Sequence, residues 1–186
     1  MQKKVVVVIT GTIASGKGFA AEFFRKQGFE HHSFSNIIRE IAKERKIPID
    51  RKHLHALGLK LRKESKTSIL AQRVAQHLEG KRAHYVVEGI RDLGELSFLK
   101  KKFNCVLIGV DADPHIRFER LKKRGRKGDS KTFLEFLKID NSERKGSGEV
   151  DRILKKADYL ISNEGSEQAF KKELKKALSH IKSNIK

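Results

Sequence analysis

Val5-Val-Val-Val-Ile-Thr-Gly-Thr-Ile-Ala-Ser-Gly-Lys-Gly18 restricts the possible folds more than any other stretch of the chain. A continuous run of β-branched residues ends in a glycine-rich turn, and Phe19, Ala20, Phe23 and Phe24 then set an apolar helical pattern. Gly11 and Gly16-Lys17 stand at the spacing G-x-x-x-x-G-K, in the strand–loop–helix context that a phosphate-binding loop requires. Glycines let the backbone wrap a polyphosphate closely. Successive N–H groups and the helix N-terminus supply partial positive charge, and Lys17 supplies a full one. Gly11, Thr12, Ala14, Ser15, Gly16, Lys17, Gly18 and Phe19 are therefore the expected binding residues for a nucleoside triphosphate, taken as ATP.

The residue after the lysine is usually Ser or Thr, whose hydroxyl binds magnesium; here it is Gly18. Adenylate kinases and related nucleoside monophosphate kinases also read Gly-Lys-Gly, so this stretch resembles that branch of the P-loop proteins. They place Thr next, where this chain has Phe19, which implies Mg2+ held through water.

Further along the chain, apolar patterns and breakers predict strands over residues 5–9, 29–34, 84–88, 104–110 and 157–162. Helices are predicted over 16–26, 36–45 (capped by Ser35), from Asp50 through Leu61, from Thr67 to Gly80, over 93–102 and 115–124, and at the lysine-rich C-terminus. This alternation predicts an α/β fold, a five-stranded parallel sheet with helices on both faces and a small helical lid. In such sheets ligands bind beyond the carboxyl ends of the strands, where the glycine loop, residues 33–36, 88–91 and 111–113 converge. No linker divides the chain, so residues 1–186 are read as one domain, with an acceptor-binding helical region at about 34–80 and a lid at about 125–148.

Composition narrows the partners. Lys plus Arg number 42 against 23 Asp plus Glu, a formal charge of +19, which favours polyanions without choosing among nucleotides, nucleic acid or acidic surfaces. One cysteine, Cys105, excludes an intramolecular disulfide framework and sits in an apolar run, as core filling does. No apolar run is long enough to span a membrane and the N-terminal valines run into the glycine loop, so a cytoplasmic enzyme is expected.

Four further segments resemble the nucleoside monophosphate kinase pattern, and with the glycine loop the resemblance covers most of residues 4–165. His31-His-Ser-Phe-Ser-Asn-Ile-Ile-Arg39 is similar to the segment whose arginine grips the acceptor phosphate, which implies that task for Arg39 and contacts from Ser35 and Asn36. Glu88-Gly-Ile-Arg91 resembles the family's Asp-Gly-Phe-Pro-Arg. A carboxylate just past an apolar strand is where P-loop enzymes order magnesium, here Glu88 through water, with Gly89 and Arg91 beside the transferred phosphate. The helix carrying Arg117, Arg120 and Arg124 resembles the one leading into the lid. By resemblance Arg120 and Arg124 reach the donor phosphates, and Arg144 folds over them. On spacing alone each arginine reads equally as a solvated basic face.

The expected activity is transfer of the γ-phosphoryl group of ATP to a nucleoside or deoxynucleoside monophosphate. Lys17, Arg91, Arg120, Arg124 and Arg144 carry catalysis, and Arg39 holds the acceptor. The final strand and turn, residues 157–165, resemble those of dephospho-CoA kinases, which leaves dephospho-CoA as an alternative acceptor. The +19 charge leaves a second alternative, an RNA-associated adenylate-kinase-like ATPase.

Overall fold

A computed structural model describes residues 4–64, 69–79, 84–145 and 149–183. Five strands form one wholly parallel sheet: β1 (Val5–Gly11), β2 (Glu30–Ser33), β3 (Tyr85–Glu88), β4 (Asn104–Asp111) and β5 (Tyr159–Ser162), in the order β2-β3-β1-β4-β5. The most apolar strand, β1, lies at the centre, as its burial on both faces demands. Strand periodicity divides its side chains between two cores. Val6 and Val8 join Tyr85, Val87 and Leu107 against the helices α2 (Phe34–Glu44), α3 (Arg51–Glu64), α4 (Ile69–Leu78) and α5 (Leu93–Lys102). Val5, Val7 and Ile9 join Val86, Ile108 and Val110 against α1 (Lys17–Lys26) and α9 (Glu167–Ser183).

A third, smaller cluster of Ile13, Phe118, Leu121 and Phe136 seats α6 (Pro114–Arg124) and α7 (Phe133–Lys145) beside the glycine loop. Cys105 packs against the first core, and burial pushes its thiol up to about 12. No helix among the described residues is long and apolar enough to cross a membrane.

Local chemistry adjusts some expected boundaries. Ser33, not Ser35, caps α2: it is extended, and its Oγ accepts from the Asn36 N–H at 3.1 Å, leaving Ser35 in the first turn. Asp50 does cap α3, accepting from the His53 N–H at 3.0 Å. A five-residue helix, α8 (Val150–Leu154), was not expected from the sequence; Val150 and Ile153 are wholly buried. The expected helix limits Thr67 and Gly80 and the lid limit Gly148 lie outside the described residues.

Candidate functional site

The glycine loop joins β1 to α1 and is held from the β4–β5 side of the central strand. Thr12 donates through Oγ1 to Asp111 Oδ1 at 2.6 Å, from the end of β4. Burial works against the charge of Asp111, but its hydrogen bonds from Thr12 and Arg144 hold its carboxyl below the usual range. One strand further out, Asn163, just past β5, donates through Nδ2 to the carbonyl of Ser15 at 2.8 Å. The two critical glycines are geometric necessities. Gly11 has φ 150°, and a Cβ there would lie 2.0 Å from the carbonyl oxygen of Val110. Gly16 has φ 112°, and its Cβ would lie 2.4 Å from Asn163 Nδ2.

Lys17 opens α1 and folds back over the loop, its Nζ donating to the Thr12 carbonyl at 2.5 Å. Burial and the nearby Arg91 push its ammonium down to about 8, while Glu143 and Glu88 pull it up. Glu88 ends β3 beside Ile9 of β1, and His31 Nε2 lies 3.3 Å from its Oε1. A Cβ built on Gly18 would meet only Glu88 Oε2, at 3.9 Å. The position of the usual metal-binding hydroxyl therefore faces the strand-end carboxylate. Mg2+ in such sites keeps waters and takes one or two carboxylates plus phosphate oxygens, a donor set that Glu88 fits. Among the described residues no group of three potential ligands could hold a metal by itself.

Beyond the strand ends lies one cavity of about 990 Å3. Ala14, Gly16, Lys17 and Gly18 of the loop line it, together with Ser35 and Arg39 of α2 and Glu88, Gly89 and Arg91 from the end of β3. Arg120 and Arg124 of α6 complete it. Arg120 also reaches Asn163 Oδ1 at 3.5 Å, and Arg124 grips Asp129 through Nε and Nη2 at 3.1 and 2.8 Å. Gly11, Thr12, Ser15, Phe19 and Asn36 are not on the wall. The first three build the loop from behind, Phe19 packs 5.5 Å from the ring of Phe170, and Asn36 accepts from Arg39 at 3.1 Å.

Arg144 departs from expectation. It lies off the cavity wall, its guanidinium bound to Asp111 at 2.8 Å, Asp140 at 3.1 Å and Asp151 at 2.7 Å. Burial opposes its charge, but these carboxylates raise its pKa above the usual value. Arg117 is likewise no part of a basic face. It is fully buried, pairs with Asp140 at 2.5 and 2.8 Å, and donates to the carbonyls of Ala112 and Ile13 at 2.8 and 3.2 Å.

Other residues at the site gave no signal in the sequence. Glu143 of α7 is nearly buried, lines the cavity and is ion-paired to Arg91. Glu95, fully buried, binds Arg62 at 2.9 Å and accepts from the Arg91 N–H at 3.1 Å, so one carboxylate positions two lining arginines. Burial raises the pKa of Glu95, opposed by Arg62. Spacing carries no mark of either acid, because each meets its arginines only through the tertiary fold.

Comparison with known proteins places this geometry. Residues 7–146 match the AAA domain family AAA_18. A UPF0200 protein of Pyrococcus horikoshii is 33% identical over 186 residues, covering 97% of this chain and 99% of that protein. Among solved structures, a dephospho-CoA kinase from Campylobacter jejuni superposes with a TM-score of 0.56 at 18% identity, covering 95% and 96% of the two chains. Shikimate kinase from Aquifex aeolicus gives 0.55 at 14% identity, over 96% and 97%. The fold is that of the P-loop kinases.

Proposed function

Since the chain belongs to the AAA_18 AAA-domain family and to the UPF0200 family, with a P-loop kinase-like fold, we propose that it transfers the γ-phosphoryl group of ATP to a nucleoside or deoxynucleoside monophosphate. The observation that carries this reading is that Lys17, Arg39 and Arg91, which follow the adjacent strands β1, β2 and β3, line the same cavity. One side offers a loop built for a triphosphate, and the other offers forked guanidiniums suited to a second phosphate.

In this reading Lys17 and the loop N–H groups hold the donor phosphates, while Arg39 and Arg91 hold the acceptor in line. An oxygen of the acceptor phosphate forms a bond to the γ-phosphorus as the bond to the β-bridging oxygen breaks, and ADP leaves. The attacking oxygen is already anionic, so no base is needed. Catalysis is alignment and charge neutralisation, to which Arg120 and Arg124 contribute. Mg2+, ordered by Glu88 through water, would neutralise charge on the donor phosphates. Residues about 34–80 form the acceptor side and about 125–148 the lid, which excludes water from the γ-phosphoryl group. Arg144 is assigned a different task from the one its position in the sequence suggested: it ties α7 to the end of β4. A cytoplasmic location completes the reading.

The test is a panel of nucleoside and deoxynucleoside monophosphates, dephospho-CoA and RNA, each incubated with ATP and Mg2+, read as ADP release and product mass. A nucleoside diphosphate as product is expected. Phosphorylation of dephospho-CoA alone, or ADP release that RNA stimulates with no phosphorylated product, would replace the reading with one of the two alternatives.

A further inference from the structure

The cavity holds more positive charge than the proposed substrates need. Ten lysines and arginines line it against the carboxylates of Glu88, Asp129 and Glu143. Glu143 neutralises Arg91, the buried Glu95 behind the wall neutralises Arg62, and Asp129 neutralises one of its two neighbours, Arg51 and Arg124. Seven lining cations then face the single remaining carboxylate, Glu88. A magnesium-bound triphosphate and a nucleotide phosphate bring roughly two negative charges each at neutral pH. About two positive charges are left over.

The surplus has a definite place. Arg51, at the start of α3, donates through Nη1 to the carbonyl of Gly128 at 2.8 Å and pairs with Asp129. This contact brings the first turn of α3 and the loop after α6 to opposite sides of one opening. Lys52 follows Arg51, and Arg126 and Lys127 precede Gly128. All three line the cavity, and none has a carboxylate partner among the described residues. Apolar side chains, Ile38, Ile49 and Leu54, line the same cavity and suit the uncharged body of a ligand.

We propose that this mouth is a second anion subsite, and that the phosphoryl acceptor is a nucleotide carrying a further phosphate beyond the one held by Arg39 and Arg91. The proposal rests on the phosphotransferase reading of the site. Its chemistry is shared by a nucleoside bisphosphate and by the next phosphodiester of a 5′-phosphorylated oligonucleotide.

The experiment measures equilibrium binding of adenosine 5′-monophosphate, adenosine 3′,5′-bisphosphate and the dinucleotide pApA to the full-length chain with MgADP present. It is repeated with the double variant Lys52→Glu, Lys127→Glu, both exposed side chains. At least one two-phosphate ligand is expected to bind the wild type about tenfold more tightly than the monophosphate. The variant should lose that advantage while its monophosphate affinity stays within about twofold. A stronger preference for pApA assigns the second charge to an oligonucleotide, and a stronger preference for the bisphosphate assigns it to a small nucleotide. Equal wild-type affinities for all three ligands, or a variant that weakens the monophosphate just as much, overturns the subsite. If the binding advantage holds but ATP phosphorylates none of the three ligands, the subsite stands and the phosphotransferase reading falls.

Discussion

Arg91 and Glu143 are paired in the wall of the cavity, the guanidinium following β3 and the carboxylate reaching in from α7, while Glu143 Oε2 stays buried without a hydrogen-bond partner. An acceptor phosphate that reaches Arg91 must share it with a fixed negative charge. Like charges in a partly desolvated site repel strongly. Glu143→Gln keeps the shape and removes the charge, so the acceptor KM should fall about three- to tenfold in steady-state kinetics. A rise in that KM would mean that the carboxylate contacts substrate or metal directly.

Lys17→Met should remove at least three orders of magnitude of transfer, on the order of 4 kcal/mol of transition-state stabilisation, because this ammonium is the full charge at the donor phosphates. Its hydrogen bond to the Thr12 carbonyl closes a loop that Asp111 and Asn163 already hold. The melting temperature should therefore stay within a few degrees of wild type, read by circular dichroism. Turnover near the wild-type rate would take the lysine out of the mechanism.

The parts of this site that are local in sequence were legible there. Lys17, Arg39, Glu88 and Arg91 each sit at a fixed offset from a strand end, and all four line the cavity. What long-range packing decides was not legible. Arg117 and Arg120 lie three apart on one helix, yet the first is fully buried against Asp140 and the second lines the cavity. The direction of the neighbouring helix α7 separates them, and periodicity within α6 carries no record of it. Arg144 shows the same effect: Asp140 lies one turn back on its own helix, but Asp111 and Asp151 come to it from the end of β4 and from α8. The misplaced cap of α2 has a smaller cause: two serines stand two residues apart, and only the end of β2 decides which is extended enough to cap.

Free Lys17 titrates at about 8, with burial the main cause, so pH should act on donor binding. Below that value the lysine is protonated and attracts phosphate; above it the charge is lost. kcat/KM for ATP, which reports the free enzyme, should fall about tenfold per pH unit once pH exceeds 8. Bound phosphates favour the ammonium, so kcat should hold to higher pH. A kcat/KM flat to pH 10 would contradict the burial of this group.

Two glycines of the loop should respond oppositely to a small side chain. At Gly11 a Cβ meets the Val110 carbonyl at 2.0 Å, and backbone on a central strand cannot retreat. Gly11→Ala should cost about 2–3 kcal/mol in denaturant unfolding and impair nucleotide binding. Gly18→Ser has open space up to Glu88 Oε2, at 3.9 Å, and should stay within about 0.5 kcal/mol. Equal losses at both positions would refute the packing account of the loop.

The Arg117–Asp140 pair offers the sharpest stability test, because both partners are almost wholly buried and the arginine spends its remaining donors on two carbonyls. One of these belongs to Ile13 in the glycine loop, so the pair braces the loop as well as joining α6 to α7. Asp140→Ala leaves a guanidinium in the core with its carboxylate gone, and Arg144 loses one of its three partners. The loss should be about 3–5 kcal/mol, read as a shift of the urea midpoint with unchanged slope. Replacing both members by apolar residues, Arg117→Met with Asp140→Leu, removes the orphaned charge and should recover a large part of that loss. Nucleotide affinity should nevertheless stay reduced in the double variant, because the brace on Ile13 is gone. A single Asp140→Ala variant within about 1 kcal/mol of wild type would show that water reaches the pair and that its burial carries no stability.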